Sequence, residues 1–307
     1  MNRTGIMKNA AIVLTVAILC CGCASSLAER INLNSVVWMQ SSGEYRALVQ
    51  GAYNSARRDL DDALADKTWT ALLTQVPEND EEADALGKLP PAVILDIDET
   101  VLSTLPYQAW LLKNEQAFAP ISWHAWISEA SAEALPGALD FVHYAMGKGV
   151  TVFYLSNRAG RGAFDSNRNG RIDPGEEQVN IKAFTVSNLL KLGFLPQQGT
   201  SNEDSVLLRA ETDRDGKAKK GWASSDKTVR REFLAAGYRV VLVMGDNLND
   251  FSRHINPESQ GARWGRSWIL LPNPSYGHWE RRLYGTRRSL SREEKIRIKL
   301  DSLDTWK

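Results

Sequence analysis

The sequence predicts an α/β fold in which helices cover both faces of a parallel β-sheet, with a smaller helical part added. The first observation is a set of apolar runs of buried-strand length, at 92–95, 151–155, 205–208, 239–244 and 268–271. The second is a set of helical patterns between several of these runs, at 135–148, 177–192 and 226–236. Alternating strands and helices favour parallel pairing with right-handed crossovers.

The composition provides enough apolar residues for a well-packed core and leaves the chain without a formal net charge. The chain has 307 residues, of which 43% are hydrophobic, enough for one large domain or two small ones. Its 37 basic and 37 acidic residues leave a formal net charge of zero. Neither a nucleic acid polymer nor an anionic membrane surface is therefore favoured as a partner.

The first residues have the pattern of an export signal. A basic start precedes an apolar stretch at 10–19, which is too short to span a bilayer. The following Cys20-Cys21-Gly22-Cys23 resembles the end of a bacterial lipoprotein signal. This predicts a signal peptide at 1–22 and lipidation of Cys23. A plain secretory signal that is cleaved near the same place is the alternative.

A lipid on Cys23 would anchor the mature protein to a membrane. The next residue is Ala24 and not Asp, which predicts an outer-membrane protein facing the periplasm. A soluble periplasmic protein is the alternative. All three cysteines lie at 20–23, so the exported protein would have no disulfide and would depend on its core for stability.

The rest of the chain divides into three predicted segments. An N-terminal helical segment that packs on the core covers 23–90, the core covers 91–280, and a basic helical tail covers 281–307. Apolar residues recur at helical spacing through 29–75. The acidic and polar stretch 77–88 predicts an exposed loop.

Two aspartates follow the first core strand and are the first candidates for chemistry. Asp96 and Asp98 stand two residues apart, so their carboxylates share one face of the strand tip, about 6–7 Å apart along the chain. Ligands bind at the carboxyl edge of open parallel sheets. One carboxylate could attack while its neighbour moves a proton. The alternative is a polar turn in which Asp98, Glu99 and Thr100 cap a helix.

Three later segments favour the catalytic interpretation. The second strand run ends at Ser156 and Asn157, Lys227 stands in the first turn of a helical stretch, and the run at 239–244 leads to Asp246 and Asp250. An acid pair, a hydroxyl group, a lysine and a second acid pair are what phosphoryl transfer through an aspartyl-phosphate needs. The lysine's register is open, with Lys219 or Lys220 as the other candidates.

A predicted cap insertion at 101–134 follows the first acid pair. Its aromatic residues include Tyr107, Trp110, Trp123 and Trp126. They could be buried packing in a cap over the sheet, or walls that stack an aromatic ring of the substrate.

Taken together, these motifs resemble the class C bacterial acid phosphatases, the outer-membrane lipoprotein acid phosphatase/5′-nucleotidase family of the haloacid dehalogenase superfamily. The resemblance rests on four motifs in order, Asp96-Ile97-Asp98-Glu99-Thr100, Ser156-Asn157-Arg158, Lys227 and Gly245-Asp246-Asn247-Leu248-Asn249-Asp250. Supporting stretches lie at 38–48, 107–110 and 272–280. The resemblance implies a Rossmann-like, haloacid dehalogenase-like sheet and an acid phosphatase activity.

The resemblance also implies a role for each residue. Asp96 would be the nucleophile, and Asp98 would protonate the leaving alcohol and then accept a proton from water. Ser156 and the backbone of Asn157 would bind phosphoryl oxygens, while Lys227 would neutralise the charge that builds on them.

A magnesium ion is the implied cofactor. It would bind Asp96, the backbone carbonyl of Asp98, and Asp246, while Asp250 would orient a metal-bound water.

The implied substrate is a small phosphate ester, and a 5′-nucleotide is favoured, at acidic pH. One alternative is a phosphotransferase of the same superfamily. Another is a surface binding lipoprotein that kept the fold and lost the chemistry, although all four acidic positions are intact. The sequence leaves the oligomeric state open, with a homodimer as one option.

A second metal is predicted at 165–176, which matches the calcium-loop pattern D-x-[DN]-x-[DN]-G-x₅-E. The ligands would be Asp165, Asn167, Asn169, the carbonyl of Arg171, Asp173 and Glu176. The sequence predicts half of an EF-hand, with an outgoing helix after the loop and no incoming helix. The alternative is a surface turn rich in Asn, Asp and Gly.

Overall fold

The computed structural model describes residues 32–306 except 168, 170, 197–202, 213–216, 254, 256–257, 259, 286 and 288–289. Within these residues, a central sheet contains five parallel strands: β1 (Pro91–Leu95), β2 (Thr151–Ala159), β5 (Val206–Arg209), β6 (Arg239–Gly245) and β7 (Trp268–Leu270). A small antiparallel pair, β3 (Arg161–Gly162) and β4 (Val179–Asn180), lies outside it. The predicted α/β class and parallel sheet are confirmed.

The strand order is β5-β2-β1-β6-β7, so β1 lies at the centre. The chain moves outward from β1 through β2 to β5, and then returns to the other side of β1 to form β6. This reversal opens a crevice at the carboxyl ends of β1 and β6, which is where open α/β sheets bind ligands. The topology therefore brings the loops that follow β1, β2 and β6 together at one edge.

Ten α-helices surround the sheet within the described residues: Leu33–Ser41, Gly43–Ala65, Asp80–Lys88, Leu105–Lys113, Pro120–Ser128, Ala138–Gly147, Ile181–Leu192, Thr228–Ala235, His278–Tyr284 and Arg292–Asp301. Short 3₁₀ turns lie at Leu73–Gln75, Leu248–Asp250 and Gly261–Arg263. We refer to Leu105–Lys113 and Pro120–Ser128, which lie in the predicted cap, as the cap helices.

Three sequence-based expectations about helices are wrong. The stretch 77–88 is not a loop but forms the helix Asp80–Lys88, because the Asn79 side chain caps it and the buried Leu86 anchors it. The N-terminal helices end at Ala65, so the later part of 29–75 contains only a 3₁₀ turn. The helix expected at 177–192 begins at Ile181, because the preceding residues pair in β4.

Alternate residues of β1 pack into two different hydrophobic layers, as the two-residue period of a strand requires. Val93 and Leu95 face one layer, whereas Ala92 and Ile94 face the other. The helix Gly43–Ala65 packs its apolar stripe into the first layer. Its buried Tyr53 also donates a hydrogen bond to the Thr100 carbonyl just beyond β1, at 2.6 Å.

The structure says nothing of the predicted signal peptide at 1–22 or of Cys23, which lie outside the described residues. Among the described residues, no helix combines the length and the apolar character needed to cross a membrane. The division at 90 and 280 stays a prediction.

A buried arginine joins the N-terminal segment to the sheet. Arg239, at the start of β6, is 1% exposed, and its Nη1 donates to the carbonyl oxygens of Ala63, Asp66 and Trp69 at 3.1, 2.8 and 3.1 Å. These carbonyls come from the end of the helix Gly43–Ala65 and the turn after it. The contact fixes the register of the N-terminal helix on the core.

Replacing Arg239 by Met should lower the free energy of unfolding by about 1–3 kcal/mol, because carbonyl groups lose their donor in a buried place. Urea denaturation measures the change. The matched control is Arg46→Met on the exposed side of the helix Gly43–Ala65, which should stay within about 0.5 kcal/mol of the wild type. Equal losses in the two variants would contradict this role of Arg239.

Candidate active site

A cavity of about 470 Å³ lies at the carboxyl edge of the sheet, beside β1, β2 and β6. All seven residues that the sequence singled out for phosphoryl transfer line it: Asp96, Asp98, Ser156, Asn157, Lys227, Asp246 and Asp250. Four separate parts of the chain supply them. The parallel sheet brings these parts together because the strands end at the same edge.

Three carboxylates converge in this cavity. One ligand oxygen from each of Asp96, Asp246 and Asp250 lies within 4.8 Å of the other two. The ammonium of Lys227 lies between two of them, with Nζ 2.5 Å from Asp96 Oδ1 and 2.6 Å from Asp250 Oδ1. The open question of the lysine register therefore has a geometric answer. Lys219 instead pairs with Glu211 at 3.0 Å, and Lys220 is exposed.

The chain around Gly245 is shaped to let Asp250 fold back onto β6. A Cβ atom on Gly245 would lie 2.2 Å from Asp250 Oδ2, which no side chain could tolerate. The carboxylate of Asp250 accepts from the backbone nitrogen of Asn247 at 3.0 Å and so closes the 3₁₀ turn between them. Glycine at 245 thus allows two acids, Asp246 and Asp250, to serve one cavity.

Charge in the cluster is unbalanced. Burial raises the pKa of Asp96 to about 6, although Lys227 acts against this rise. Burial raises the pKa of Asp246 well above its ordinary range, and the nearby Asp250 and Asp96 raise it further. Burial alone would lower the pKa of Lys227, but the two carboxylates outweigh it and raise that pKa. The ammonium of Lys227 therefore pairs with two of the three carboxylates, and no salt bridge to Asp246 is found among the described residues.

This donor set suits a hard divalent cation. Oxygen ligands from several carboxylates are what Mg²⁺ prefers, and a second positive centre would relieve the repulsion that raises the carboxyl pKa values. Asn273 donates from Nδ2 to Asp246 Oδ2 at 2.7 Å and so orients this candidate ligand. The residues that could hold the cation are Asp96, Asp246 and Asp250, together with the carbonyl of Asp98.

Asp98 is held by a buried arginine that the sequence did not single out as a site residue. Arg158 donates from Nη2 to Asp98 Oδ1 at 2.7 Å and from Nε to the same oxygen at 3.0 Å. Its Cζ lies 5.6 Å from the ring centroid of Trp123 and 5.8 Å from that of Trp126. Burial raises the pKa of Asp98, while Arg158 opposes that rise. The Ser156-Asn157-Arg158 motif thus positions the proposed acid.

Ser156 and Asn157 lie within β2, where its pairing with β5 becomes irregular. The Ser156 hydroxyl accepts from the backbone nitrogen of Arg158 at 3.1 Å. The Asn157 side chain turns away, donating to the Ser225 carbonyl at 3.0 Å and accepting from Arg230 Nη2 at 2.7 Å. Arg230, which is fully buried, also donates to the Ser156 carbonyl at 2.5 Å. The side-chain amide of Asn157 is therefore engaged within the protein.

Glu99 links the turn after β1 to Tyr276, which lines the cavity. It has a φ of +51° and is fully buried, where it accepts from the backbone nitrogen of Thr104 at 2.7 Å and from the Tyr276 hydroxyl. Burial raises its pKa to about 8. The next helix begins only at Leu105, so the alternative in which residues 98–100 cap a helix is wrong.

The aromatic residues of the cap have different environments. Trp123 lines the cavity and stacks on Trp126 with ring centroids 5.0 Å apart. Tyr107 is buried in packing, and Trp110 is 44% exposed and does not line the cavity. Phe118, which the sequence analysis did not single out, lines the cavity and is 61% exposed. Tyr107 is therefore buried packing, whereas stacking of a substrate ring on Trp123 stays a prediction.

The comparisons with known proteins agree with this geometry. The family model described as HAD superfamily, subfamily IIIB (acid phosphatase) matches residues 23–165 and 176–279. The solved class C acid phosphatase from Bacillus anthracis has 31% identity and a TM-score of 0.68, covering 91% of this chain and 99% of that chain. Its structure with tungstate bound has a TM-score of 0.67 at the same identity and covers 92% and 99%.

Plant relatives are more distant. Acid phosphatase 1 of Solanum lycopersicum is 27% identical over 184 residues, which is 60% of this chain and 57% of that protein. A stem 31 kDa glycoprotein of Glycine max is 25% identical, over 60% of this chain and 58% of its own length. The alignments thus span less than two thirds of these curated relatives. Because the family model matches most of its length, the chain belongs to subfamily IIIB of the HAD superfamily, the acid phosphatase family.

Proposed function

We propose that this protein is a metal-dependent acid phosphatase that hydrolyses small phosphate esters through an aspartyl-phosphate on Asp96. The single observation that carries the proposal is the placement of Lys227 between Asp96 and Asp250, with Asp246 beside them. Membership of the acid phosphatase family supports it. A binding protein that had lost the chemistry would have no reason to retain this buried and unbalanced cluster of charges.

The first step is attack by a carboxylate oxygen of Asp96 on phosphorus, which forms an O–P bond while the ester O–P bond breaks. Asp98 donates its proton to the leaving alcohol oxygen. Burial, which raises the pKa of Asp98, favours the protonated form that this step needs. Arg158 holds the carboxyl group in place through two nitrogen atoms.

In the second step, water attacks phosphorus and Asp98 takes the proton that it loses, which releases inorganic phosphate and restores both aspartates. Lys227, the Ser156 hydroxyl and the backbone nitrogen of Asn157 balance the charge on the phosphoryl oxygens.

Mg²⁺ is the proposed metal, held by Asp96, Asp246, the Asp98 carbonyl and Asp250. When bound, it supplies positive charge that offsets repulsion between an anionic nucleophile and an anionic ester. A 5′-nucleotide is the proposed substrate, because Phe118 and Trp123 offer aromatic faces to a base beside the acid cluster. Lipid attachment at Cys23 and a periplasmic location remain proposals that rest on the N-terminal sequence.

Replacing Asp96 by Asn should lower kcat for phosphate release by at least about 10³-fold, because an amide oxygen is a poor nucleophile. Phosphate release from 5′-AMP with Mg²⁺ measures the change. The control is Asp140→Asn on the exposed side of the helix Ala138–Gly147, whose activity should match the wild type. A folded Asp96→Asn enzyme with the wild-type rate would contradict the proposal.

Removal of one acid should stabilise the metal-free protein. A carboxyl group with a raised folded-state pKa binds more protons folded than unfolded. Its stabilising contribution is therefore complete below its ordinary value of 3.8 and is lost as pH rises through the folded value, about 6 for Asp96. Replacing Asp246 by Asn removes one of three neighbouring carboxylates and so lowers the repulsion among them. Tm at pH 7.5 in chelator should therefore rise by about 2–6 °C.

The same variant should lose the stabilisation that Mg²⁺ gives to the wild type, as thermal unfolding with and without the metal would show. Asp84→Asn, on the exposed surface of the helix Asp80–Lys88, is the control. It should leave both the metal-free Tm and the rise in Tm with Mg²⁺ unchanged. A metal-free Asp246→Asn protein that melts below the wild type would count against an unbalanced acid cluster.

Phe118 provides a test of base recognition. Stacking on a base contributes roughly 1–3 kcal/mol, so Phe118→Ala should raise KM for 5′-AMP about 5-fold or more. KM for glycerol phosphate, which has no ring, should not change. Phe233 is 62% exposed against 61% for Phe118 and lies outside the cavity, so Phe233→Ala is a matched control. Equal effects of Phe118→Ala on the two substrates would contradict nucleotide stacking.

A further inference from the structure

Residues 165–176 form a loop that the catalytic fold does not need. The family model matches the chain up to 165 and again from 176, so the intervening residues are an addition to the family pattern. None of the residues that line the active-site cavity comes from this loop. All of its residues except 168 and 170 are described.

The fold closes both ends of this loop. Arg161 and Gly162 of β3 pair with Asn180 and Val179 of β4, and the Phe164 nitrogen donates to the Glu176 carbonyl at 3.0 Å. In the described part of the chain no helix enters the loop, as predicted, and the predicted outgoing helix begins at Ile181, directly after the two residues of β4. Closure by a hairpin still holds the two ends of a twelve-residue loop next to each other.

The side chains at the expected ligand positions turn toward one another. Asp173 Oδ2 accepts from the amide nitrogens of Asn167 and Asn169 at 2.9 and 2.7 Å. The backbone nitrogen of Asn169 donates to Asp165 Oδ1 at 3.1 Å and to Asn167 Oδ1 at 3.0 Å. A half turn of either amide group would present its oxygen in place of its nitrogen.

Glu176 is the feature that points to a cation. Its side chain folds back over the loop and accepts from the Ser166 nitrogen at 2.8 Å, the Ser166 hydroxyl, and the Asp173 nitrogen at 2.9 Å. The residue is 8% exposed. All of these partners are neutral donors, and no described lysine or arginine pairs with it.

We propose that 165–176 is a Ca²⁺ site formed by side-chain oxygens of Asp165, Asn167, Asn169, Asp173 and Glu176 and by the carbonyl of Arg171. Among the described residues only neutral donors face the carboxylate of Glu176, and a cation at the centre of this loop would supply a countercharge. Ca²⁺ accepts six to eight oxygens in flexible geometry, whereas Mg²⁺ demands a strict octahedron. The donor set contains no His or Cys, which the transition metals prefer.

The site lies where it can stiffen the cap. The ring of His124, in the cap helix Pro120–Ser128, hydrogen-bonds through Nδ1 to the Ala163 carbonyl at 2.7 Å. A Cβ on Gly162 would lie 2.2 Å from the same ring, so the hairpin is in close contact with the helix. The neighbouring Trp123 lines the active-site cavity. Ca²⁺ in the loop therefore stabilises the hairpin that supports this wall.

Calorimetric titration of Ca²⁺ into the Mg²⁺-saturated full chain tests the site. We expect one site per chain with a Kd of about 10⁻⁵ to 10⁻³ M and a rise in Tm of about 3 °C or more at saturation. Glu176→Gln should abolish both effects. Glu177→Gln, the same change one residue further at an exposed position, should keep both.

Two further variants separate this site from the active site and from misfolding. Asp246→Asn should retain the Ca²⁺ effect, because it alters only the acid cluster. Asp165→Asn should weaken Ca²⁺ binding at least 10-fold. If Glu176→Gln does not fold, Asp165→Asn takes its place as the test of the site. No binding by the wild type, or binding lost in Asp246→Asn and kept in Glu176→Gln and Asp165→Asn, would overturn the proposal. These readouts do not depend on phosphatase activity.

Discussion

The structure depends on one electrostatic constraint, the gathering of three carboxylates at the sheet edge with the ammonium of Lys227 between two of them. Its Nζ lies 2.5 Å from Asp96 and 2.6 Å from Asp250, and all three groups are buried. Burying like charges is unfavourable unless the fold holds them in place and a countercharge is near. The parallel sheet does this by ending β1 and β6 side by side, and the glycine at 245 admits the last carboxylate.

Three buried arginines hold in place the chain segments that carry these charged groups. Arg231 donates from Nη1 to the carbonyls of Asn249 and Asp250 at 2.9 and 3.0 Å, so it ties the helix that follows Lys227 to the loop that carries Asp250. Arg230, from the same helix, donates to the Ser156 carbonyl in β2. Arg158 holds Asp98. Each uses the guanidinium fork to satisfy several oxygens at once, which a lysine could not do.

Sequence reasoning predicted the strands and the acid pairs because their signals are local. Apolar runs mark β1, β2 and β6, and the two-residue spacing of Asp96 and Asp98 follows from strand geometry. Arg158, Glu99 and Asn273 stand in the quoted motifs and stretches, but sequence reasoning gave them no role. Their partners lie 60, up to 177 and 27 residues away, and no local pattern marks such contacts. Composition also misled: the acidic stretch after Asn79 is a helix held by a cap and one buried leucine.

The central claim is that phosphorus becomes bonded to a carboxylate oxygen of Asp96. Its most direct test is rapid acid quench of the enzyme during turnover of 5′-AMP with Mg²⁺, followed by mass spectrometry of the digested chain. The account predicts one added phosphoryl group, on the peptide that contains Asp96, which appears within a turnover and disappears as substrate runs out. A phosphoryl group on a different residue, or none at any quench time in an active enzyme, would contradict it.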